Sequence, residues 1–313
     1  MRNAALLLIG WLAVSCQRQP VAIVLNAPAD FIPEGIAVSG SHLYLSSVTL
    51  NKIVDYDMLS EQVSDFVSTG QFNFASGVGL FARDSLLYAV TNHERDYSAL
   101  YVFDIRTKSP VRTVFLRDTV NQHFLNDLAV SRDGHVYVTD TEQHLVYRLA
   151  PHDMQFEKWM GGAELEYPNG ITLSDDGHYL YVASSTKGIR IVDTNTRKVI
   201  NEDSPLTRGV DGVQYFNGQL LAIMNGSQDK TQHGLYSIEL SPDSNKMLTP
   251  KAILVNDVLF DVPTTVAVAN GKYFLIANSH LGQLGQNNVV TDRKSLRPPT
   301  VLTGMISRSA TKK

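Results

Sequence analysis

The chain has 313 residues, of which 43% are hydrophobic and 19% are charged, and its formal net charge is −4. This composition is typical of a folded globular protein and excludes a disordered chain or a coiled coil. A slightly acidic chain without a block of Lys and Arg lacks the basic surface that nucleic-acid binding requires, so we predict no nucleic-acid partner.

Residues 1–16 have the pattern of a bacterial export signal, with one Arg near the start followed by an apolar stretch from Ala4 to Val14. This stretch is shorter than the ~20 residues that a permanent membrane helix needs. Cys16 is the only cysteine, and its position resembles that of the lipidated cysteine of bacterial lipoproteins, although Ala13 replaces the usual Leu. We predict lipidation at Cys16 and a cell-envelope location, in the periplasm or at the outer membrane. Soluble secretion and an uncleaved anchor are the alternatives.

One pattern recurs six times between about residues 31 and 280: a short apolar run, a turn, and a second run that contains a Tyr or Phe in most repeats. Successive repeats begin 42 to 53 residues apart, a period typical of propeller blades or helical arrays. The runs are rich in Val, Ile, Tyr and Thr, which favours strands. Hairpin turns are predicted between the first two runs at Ser39-Gly40, Asp133-Gly134, Asp176-Gly177, Asn217-Gly218 and Asn270-Gly271.

A third and a fourth run follow in most repeats, so each repeat predicts four antiparallel strands. The fold is therefore predicted as an all-β, six-bladed β-propeller over residues 31–313. Residues 17–30 are a linker in which Val21–Leu25 can supply the missing outer strand of the last blade. The C-terminal segment Thr300–Ser307 is the alternative for that closure.

Each repeat begins with an oxygen-bearing side chain. These residues are Glu34, Ser76, Asn126, Asn169, Asp211 and Thr264. Since the first strand of each propeller blade lines the central channel, we expect the six side chains to form a ring at one face.

The ring predicts a metal site. Glu34, Asn126, Asn169 and Asp211 offer two carboxylates and two amide oxygens, a donor set that suits Ca²⁺ and admits other divalent cations. Zn²⁺ is disfavoured because neither Cys nor His occupies these positions. Each residue taken alone is also typical of a turn or a solvated loop. Their shared phase in four repeats favours one bound divalent ion.

Four segments carry a family resemblance: PEGIA at Glu34, LNDLAV at Asn126, YPNGITLSDDGHYLYVA at Asn169 and VDGV at Asp211. Over residues 31–282 the chain resembles the SMP-30/gluconolactonase/LRE-like family of calcium-dependent six-bladed propellers, and more distantly paraoxonases and diisopropylfluorophosphatase. The resemblance implies that Glu34, Asn169 and Asp211 bind the metal, that Asn126 binds the metal or the substrate, and that Asp211 is also the base.

The chain departs from the paraoxonases at two of these positions. Ser76 stands where they have a His, so a His dyad is not expected. Gly35 stands where they have an acid that binds a second calcium, so we expect one metal ion.

The resemblance implies a Ca²⁺-dependent hydrolase of lactones or esters, in which the metal polarises the carbonyl and Asp211 or a metal-bound water acts as base or nucleophile. Asp211 and Asn126 are the predicted catalytic residues. A G-x-S-x-G elbow and an H-E-x-x-H helix are both missing from the sequence, which agrees with this chemistry.

The predicted substrate pocket comprises Ser76, His93, Thr264 and His280. We expect a small-molecule substrate, a monomer, and no membrane contact beyond the lipid anchor. The alternative is a non-catalytic envelope propeller that binds a ligand or a protein and holds a structural metal in its channel.

Overall fold

The computed structural model describes residues 19–28, 30–94 and 96–306. The predicted export signal and Cys16 lie outside these residues. Six four-stranded antiparallel sheets surround a central channel, and the predicted six-bladed propeller is confirmed. Among the described residues, no helix is long and apolar enough to cross a membrane.

The first three blades follow one another in sequence, each from its inner to its outer strand. Blade 1 contains β2 (Pro33–Ser39), β3 (His42–Ser47), β4 (Lys52–Asp57) and β5 (Gln62–Val67); blade 2 contains β6 (Ser76–Arg83), β7 (Leu86–His93), β8 (Tyr97–Asp104) and β9 (Ser109–Leu116); blade 3 contains β10 (Leu125–Val130), β11 (Val136–Asp140), β12 (Leu145–Leu149) and β13 (Glu157–Gly161).

The next two blades repeat this order, and the last differs in its outer strand. Blade 4 contains β14 (Pro168–Leu173), β15 (Tyr179–Ser184), β16 (Gly188–Asp193) and β17 (Lys198–Val199); blade 5 contains β18 (Val210–Phe216), β19 (Gln219–Met224), β20 (Gly234–Glu239) and β21 (Lys251–Val255); blade 6 contains β22 (Val266–Ala269), β23 (Lys272–Ile276), β24 (Thr300–Met305) and β1 (Val21–Val24).

The two ends of the chain close the ring together. β1 pairs with β24 and is the outer strand of blade 6, while β24 is the third strand of the same sheet. Both candidate segments are therefore used, because blade 6 lacked two strands rather than one.

Two of the predicted hairpin turns, Asn217-Gly218 and Asn270-Gly271, have the backbone that their residues predict. Asn217 and Gly218 have φ values of 48° and 75°, and Asn270 and Gly271 have 51° and 71°. Two successive residues at positive φ join antiparallel strands with the correct twist, and Asn-Gly adopts this conformation readily.

The core lies between blades. Tyr44 and Phe66 of blade 1 meet edge to face with ring centroids 5.1 Å apart, and Phe66 meets Phe103 of blade 2 at 5.7 Å. Burying one such side chain stabilises the fold by roughly 1.5–3 kcal/mol. Without a disulfide in the described residues, these interfaces hold the six sheets together.

Neighbouring inner strands approach closely near the channel. A Cβ added to Gly79 would lie 2.6 Å from Cα of Asp127, and one added to Gly212 would lie 2.7 Å from Cα of Thr265. Both distances are too short for real atoms, so glycine is required at these positions.

Candidate functional site

In four blades, the inner strand contains a β-bulge at the point where it reaches the ring. In blade 1, Pro33 pairs with Ser47 and Ile36 pairs with Leu45, so two residues of β2 lie opposite one of β3. The same shift occurs in blades 3, 4 and 5. The first bulged residues are Glu34, Asn126, Asn169 and Asp211. Bulges are frequent beside functional sites because they turn a side chain out of the regular alternation.

Blade 2 has its bulge two residues later. Ser76 pairs regularly with Asn92, and the bulge falls on Val78 and Gly79. The prediction that Ser76 stands at the same point as Glu34 is therefore wrong, because Val78 occupies it. Gly79 lies against Asp127, and this close approach fixes the register of the strand.

The two ring carboxylates are buried and only partly hydrogen-bonded. Glu34 and Asp211 are each 7% exposed. Asp211 Oδ2 accepts a hydrogen bond from Asn225 Nδ2 at 2.5 Å. Glu34 Oε2 and Asp211 Oδ1 are buried without a hydrogen-bond partner. Leaving such atoms unpaired costs about 1–3 kcal/mol each, and more for a charged group, so both oxygens need a further partner.

In blades 3 and 5, the residue that follows the second strand orients the ring residue of its own blade. In blade 3, Asn126 Nδ2 donates to Thr141 Oγ1 at 3.0 Å, and Thr141 Oγ1 donates to the carbonyl of Pro168 at 2.7 Å. In blade 5, Asn225 donates to Asp211 and also to the carbonyl of Pro263 at 2.8 Å.

Sequence reasoning missed Thr141 and Asn225. A polar residue directly after the second strand, which occurs in blades 2 to 5, was the available signal.

Burial makes the carboxylates poor acids in the metal-free protein. It raises the pKa of Asp211 to about 7, against the lowering effect of the hydrogen bond from Asn225. The pKa of Glu34 is raised well above its usual value by burial and by the nearby charges of Asp211 and Asp127. Asp127 lies in the channel below the ring, and burial raises its pKa to about 7.

These features suit a hard divalent cation. A cation at the ring would satisfy both unpaired oxygens and cancel the repulsion between the carboxylates. Within the described ranges, no group of three or more His, Cys, Asp or Glu side chains is arranged to hold an ion. A cation here would therefore be held by Glu34 and Asp211 together with the amides of Asn126 and Asn169.

The other residues predicted to line the substrate pocket differ from one another in burial and in their hydrogen-bond partners. Thr264 is buried, and its hydroxyl donates to the carbonyl of Glu34 at 3.1 Å. His93 is half-exposed, with Nδ1 3.2 Å from Asp96 Oδ2.

His280 is 2% exposed; its Nδ1 lies 2.6 Å from Asp261 Oδ2, and its Nε2 accepts from the backbone N–H of Arg297. Both nitrogens of the His280 ring are thus engaged within the protein. The substrate-contacting roles of Thr264, His93 and His280 stay predictions.

The sequence model of the family described as SMP-30/Gluconolactonase/LRE-like region matches residues 32–221. The chain belongs to this family. The match spans the ring residues of the first five blades and ends within the second strand of blade 5, so it includes all four candidate metal ligands of this family member. No curated protein sequence matches the chain significantly.

Solved propellers share the fold at low sequence identity. The PQQ-bound aldose sugar dehydrogenase of Streptomyces coelicolor matches with a TM-score of 0.62 and 15% identity, over 91% of this chain and 98% of that one. Virginiamycin B lyase of Staphylococcus aureus matches with 0.62 and 13%, over 92% and 99%. A luciferin-regenerating enzyme matches with 0.61 and 13%, over 91% and 95%. At these identities the likeness shows the fold alone.

Proposed function

We propose that this family member is a Ca²⁺-dependent hydrolase of lactones or esters. The observation that carries the proposal is the pair of buried, unpartnered carboxylate oxygens, Glu34 Oε2 and Asp211 Oδ1, beside two amide side chains. A divalent cation bound there would polarise the carbonyl of a lactone or ester as a Lewis acid. Ca²⁺ is favoured because every donor is an oxygen, and other divalent cations remain compatible.

In this proposal, the ring residues also have roles beyond binding the metal. Asp211 accepts the proton of the attacking water, and Asn225 fixes the orientation of its carboxylate through Oδ2. Asn126 is fixed by Thr141 through Nδ2, so its Oδ1 is available to the ring for the metal or the substrate. Orientation by neighbours in this way is what allows a buried site to act without rearranging.

One observation favours a second candidate function. The ring carboxylates are only 7% exposed, as expected if a metal closed the channel of a non-catalytic propeller that binds a ligand or a protein. In favour of the hydrolase, Asn169 is less buried than Glu34, Asn126 and Asp211, which supports an approach of the substrate to the ring over blade 4.

The decisive experiment combines metal analysis with hydrolysis. Purified protein is analysed for bound elements, stripped with a chelator, reloaded with Ca²⁺, and assayed on lactones, aryl esters and phosphotriesters. We expect about one cation per chain, loss of hydrolysis after chelation and recovery with Ca²⁺. Asp211→Asn should weaken Ca²⁺ binding at least 100-fold and abolish hydrolysis while the protein stays folded.

Asp176→Asn is the matched control, since Asp176 is an exposed turn residue at the opposite face. It should leave metal binding and hydrolysis unchanged. A calcium-loaded wild type that hydrolyses nothing in the panel would favour the binding propeller. A metal-free protein with unchanged stability and no activity would reject the site itself.

We also propose export of a monomer and anchoring through a lipid on Cys16, which lies outside the described residues. Mass spectrometry of the mature N-terminus tests this: an acylated Cys16 is expected, whereas an intact residue 1 or a cleaved, unmodified chain would contradict it.

A further inference from the structure

The connection between the second and third strands of blade 6 is much longer than its counterparts. It spans residues 277–299, whereas those of blades 1, 4 and 5 span residues 48–51, 185–187 and 225–233. All these connections leave second strands that return to the ring face, so the blade 6 connection lies at that face. It contains three short 3-10 helices, Leu281–Gln283, Gln286–Asn288 and Arg293–Ser295.

The connection is firmly attached at its base. His280 links Asp261 to the backbone of Arg297, and the Arg297 guanidinium donates to the carbonyls of Val258 and Leu259 at 3.2 Å. These contacts join both ends of the connection to the segment that precedes β22.

Beyond its base the connection crosses the neighbouring blades. Four of its side chains, Leu281, Leu284, Val290 and Leu296, pack against the apolar cluster that includes Ile32 of the blade 1 entry and Val78 of blade 2. Arg293 Nη2 lies 3.3 Å from Asp30 Oδ2 at the entry to blade 1. The connection is therefore a fixed wall over blades 1 and 2 rather than a free loop.

The tip of this wall reaches the edge of the ring. Leu284 and Val290 form an isolated antiparallel bridge, and Asn288 lies in the turn between them. Asn288 is exposed, and its Nδ2 lies 3.5 Å from Oγ of Ser76, which stands two residues before the ring position of blade 2. A hydrogen bond of this length is weak, so a better partner can replace it.

We propose that Asn288 is a specificity-determining residue, whose amide binds a hydroxyl group of the substrate together with Ser76. The proposal rests on the proposed hydrolase function and adds a requirement for a polar substituent near the scissile carbonyl. The blade 6 wall closes the side of blades 1 and 2, so the substrate enters over blade 4 and meets Asn288 opposite that entry.

Two lactones test this role, α-hydroxy-γ-butyrolactone and γ-butyrolactone. The variant Asn288→Gly removes the amide and tolerates the left-handed backbone of this residue, whose φ is 55°. The preference of wild type for the hydroxylated lactone, as a ratio of kcat/KM values, should fall about 3- to 10-fold, the range of one neutral hydrogen bond. Most of the change should be in KM.

Asn217→Gly is the matched control, because Asn217 is another left-handed Asn, with φ 48°, in the turn between β18 and β19 at the opposite face. It should leave the ratio unchanged. An active Asn288→Gly enzyme with the wild-type ratio overturns the proposal. If wild type binds both lactones by calorimetry and hydrolyses neither, the hydrolase proposal fails, and the ratio of dissociation constants tests Asn288 instead. Binding of neither lactone rejects both.

A shortened wall gives a second test. Because Leu284 and Val290 are a bridged pair, residues 285–289 can be replaced by Asn-Gly, which makes a two-residue hairpin and keeps both apolar side chains. Aryl esters that are poor substrates of wild type should then react at least several-fold faster at an unchanged melting temperature. A folded variant with the same substrate range would show that residues 285–289 do not border the site.

Discussion

Aspartates have opposite properties at the two ends of the inner strands, which are the turn end, at the hairpins, and the ring end, at the central ring. At the turn end, Asp176 is exposed and accepts hydrogen bonds from Ser174 Oγ at 2.6 Å and from the backbone of His178 at 3.0 Å, which lower its pKa. At the ring end, Asp211 is buried and its pKa is raised to about 7. Asp176 is satisfied within its own turn, whereas Asp211 depends on other segments and keeps one oxygen unpaired.

This difference separates an open cavity from a candidate binding site. A cavity of about 530 Å³ at the turn end is lined by Asp133 and Asp176, yet both carboxylates are already paired with nearby side chains. The ring end, by contrast, holds two buried carboxylate oxygens without a hydrogen-bond partner. Buried polar atoms without a hydrogen-bond partner therefore indicate a binding site better than the volume of a cavity does.

The largest change in the free energy of unfolding is expected when the pH is varied for the protein without bound metal. Because the folded-state pKa of Asp211 is about 7 and an unfolded Asp titrates near 3.9, the folded state holds its proton more tightly. Stability should be greatest below pH 4 for this group and fall as the pH rises towards 7, by on the order of 4 kcal/mol. Urea unfolding of chelated protein at pH 5 and pH 8 measures the part of this loss that falls between pH 5 and pH 7, which is about 3 kcal/mol at roughly 1.4 kcal/mol per pH unit.

Ca²⁺ should restore the stability at pH 8 more than at pH 5, because protons compete with the cation for the same oxygens. The variant Asp211→Asn should have a flatter pH profile without metal. A chelated wild type as stable at pH 8 as at pH 5 would contradict the burial of these charges.

A smaller loss of stability is expected when a methyl group is added between two neighbouring inner strands. Gly212→Ala places a methyl group 2.7 Å from Cα of Thr265, which should cost about 3 kcal/mol. Gly218→Ala, at the other end of the same strand pair, meets no atom within 4 Å and should cost about 1 kcal/mol through its positive φ. Equal losses in urea unfolding would mean that the inner strands can move apart.

The smallest loss of stability is expected for substitutions at the turn end of the inner strands. Ser174→Ala removes the bonds from its hydroxyl to Asp176 and from the Tyr179 N–H, and should cost about 1 kcal/mol. Ca²⁺ affinity, measured by calorimetry, should not change, and Ser131→Ala in the equivalent turn of blade 3 should behave alike. A change in Ca²⁺ affinity would show that the two ends are coupled.

The sequence by itself determined the blades and most of the candidate ring. A period of 42 to 53 residues with hairpin signals requires repeated antiparallel sheets, and the phase of Glu34, Asn126, Asn169 and Asp211 coincides with their bulges. Such features are local, because each depends on residues within one hairpin.

Only the tertiary structure decided the register of blade 2, the partners of the ring and the wall above it. Side chains alternate along a strand with a period of two, so Ser76 and Val78 share a face and the pattern alone cannot choose between them. The choice is made by the approach of Gly79 to Asp127 in the next blade. Asn225 and Asn288 likewise acquire their roles from segments far away in the chain, which no local pattern contains.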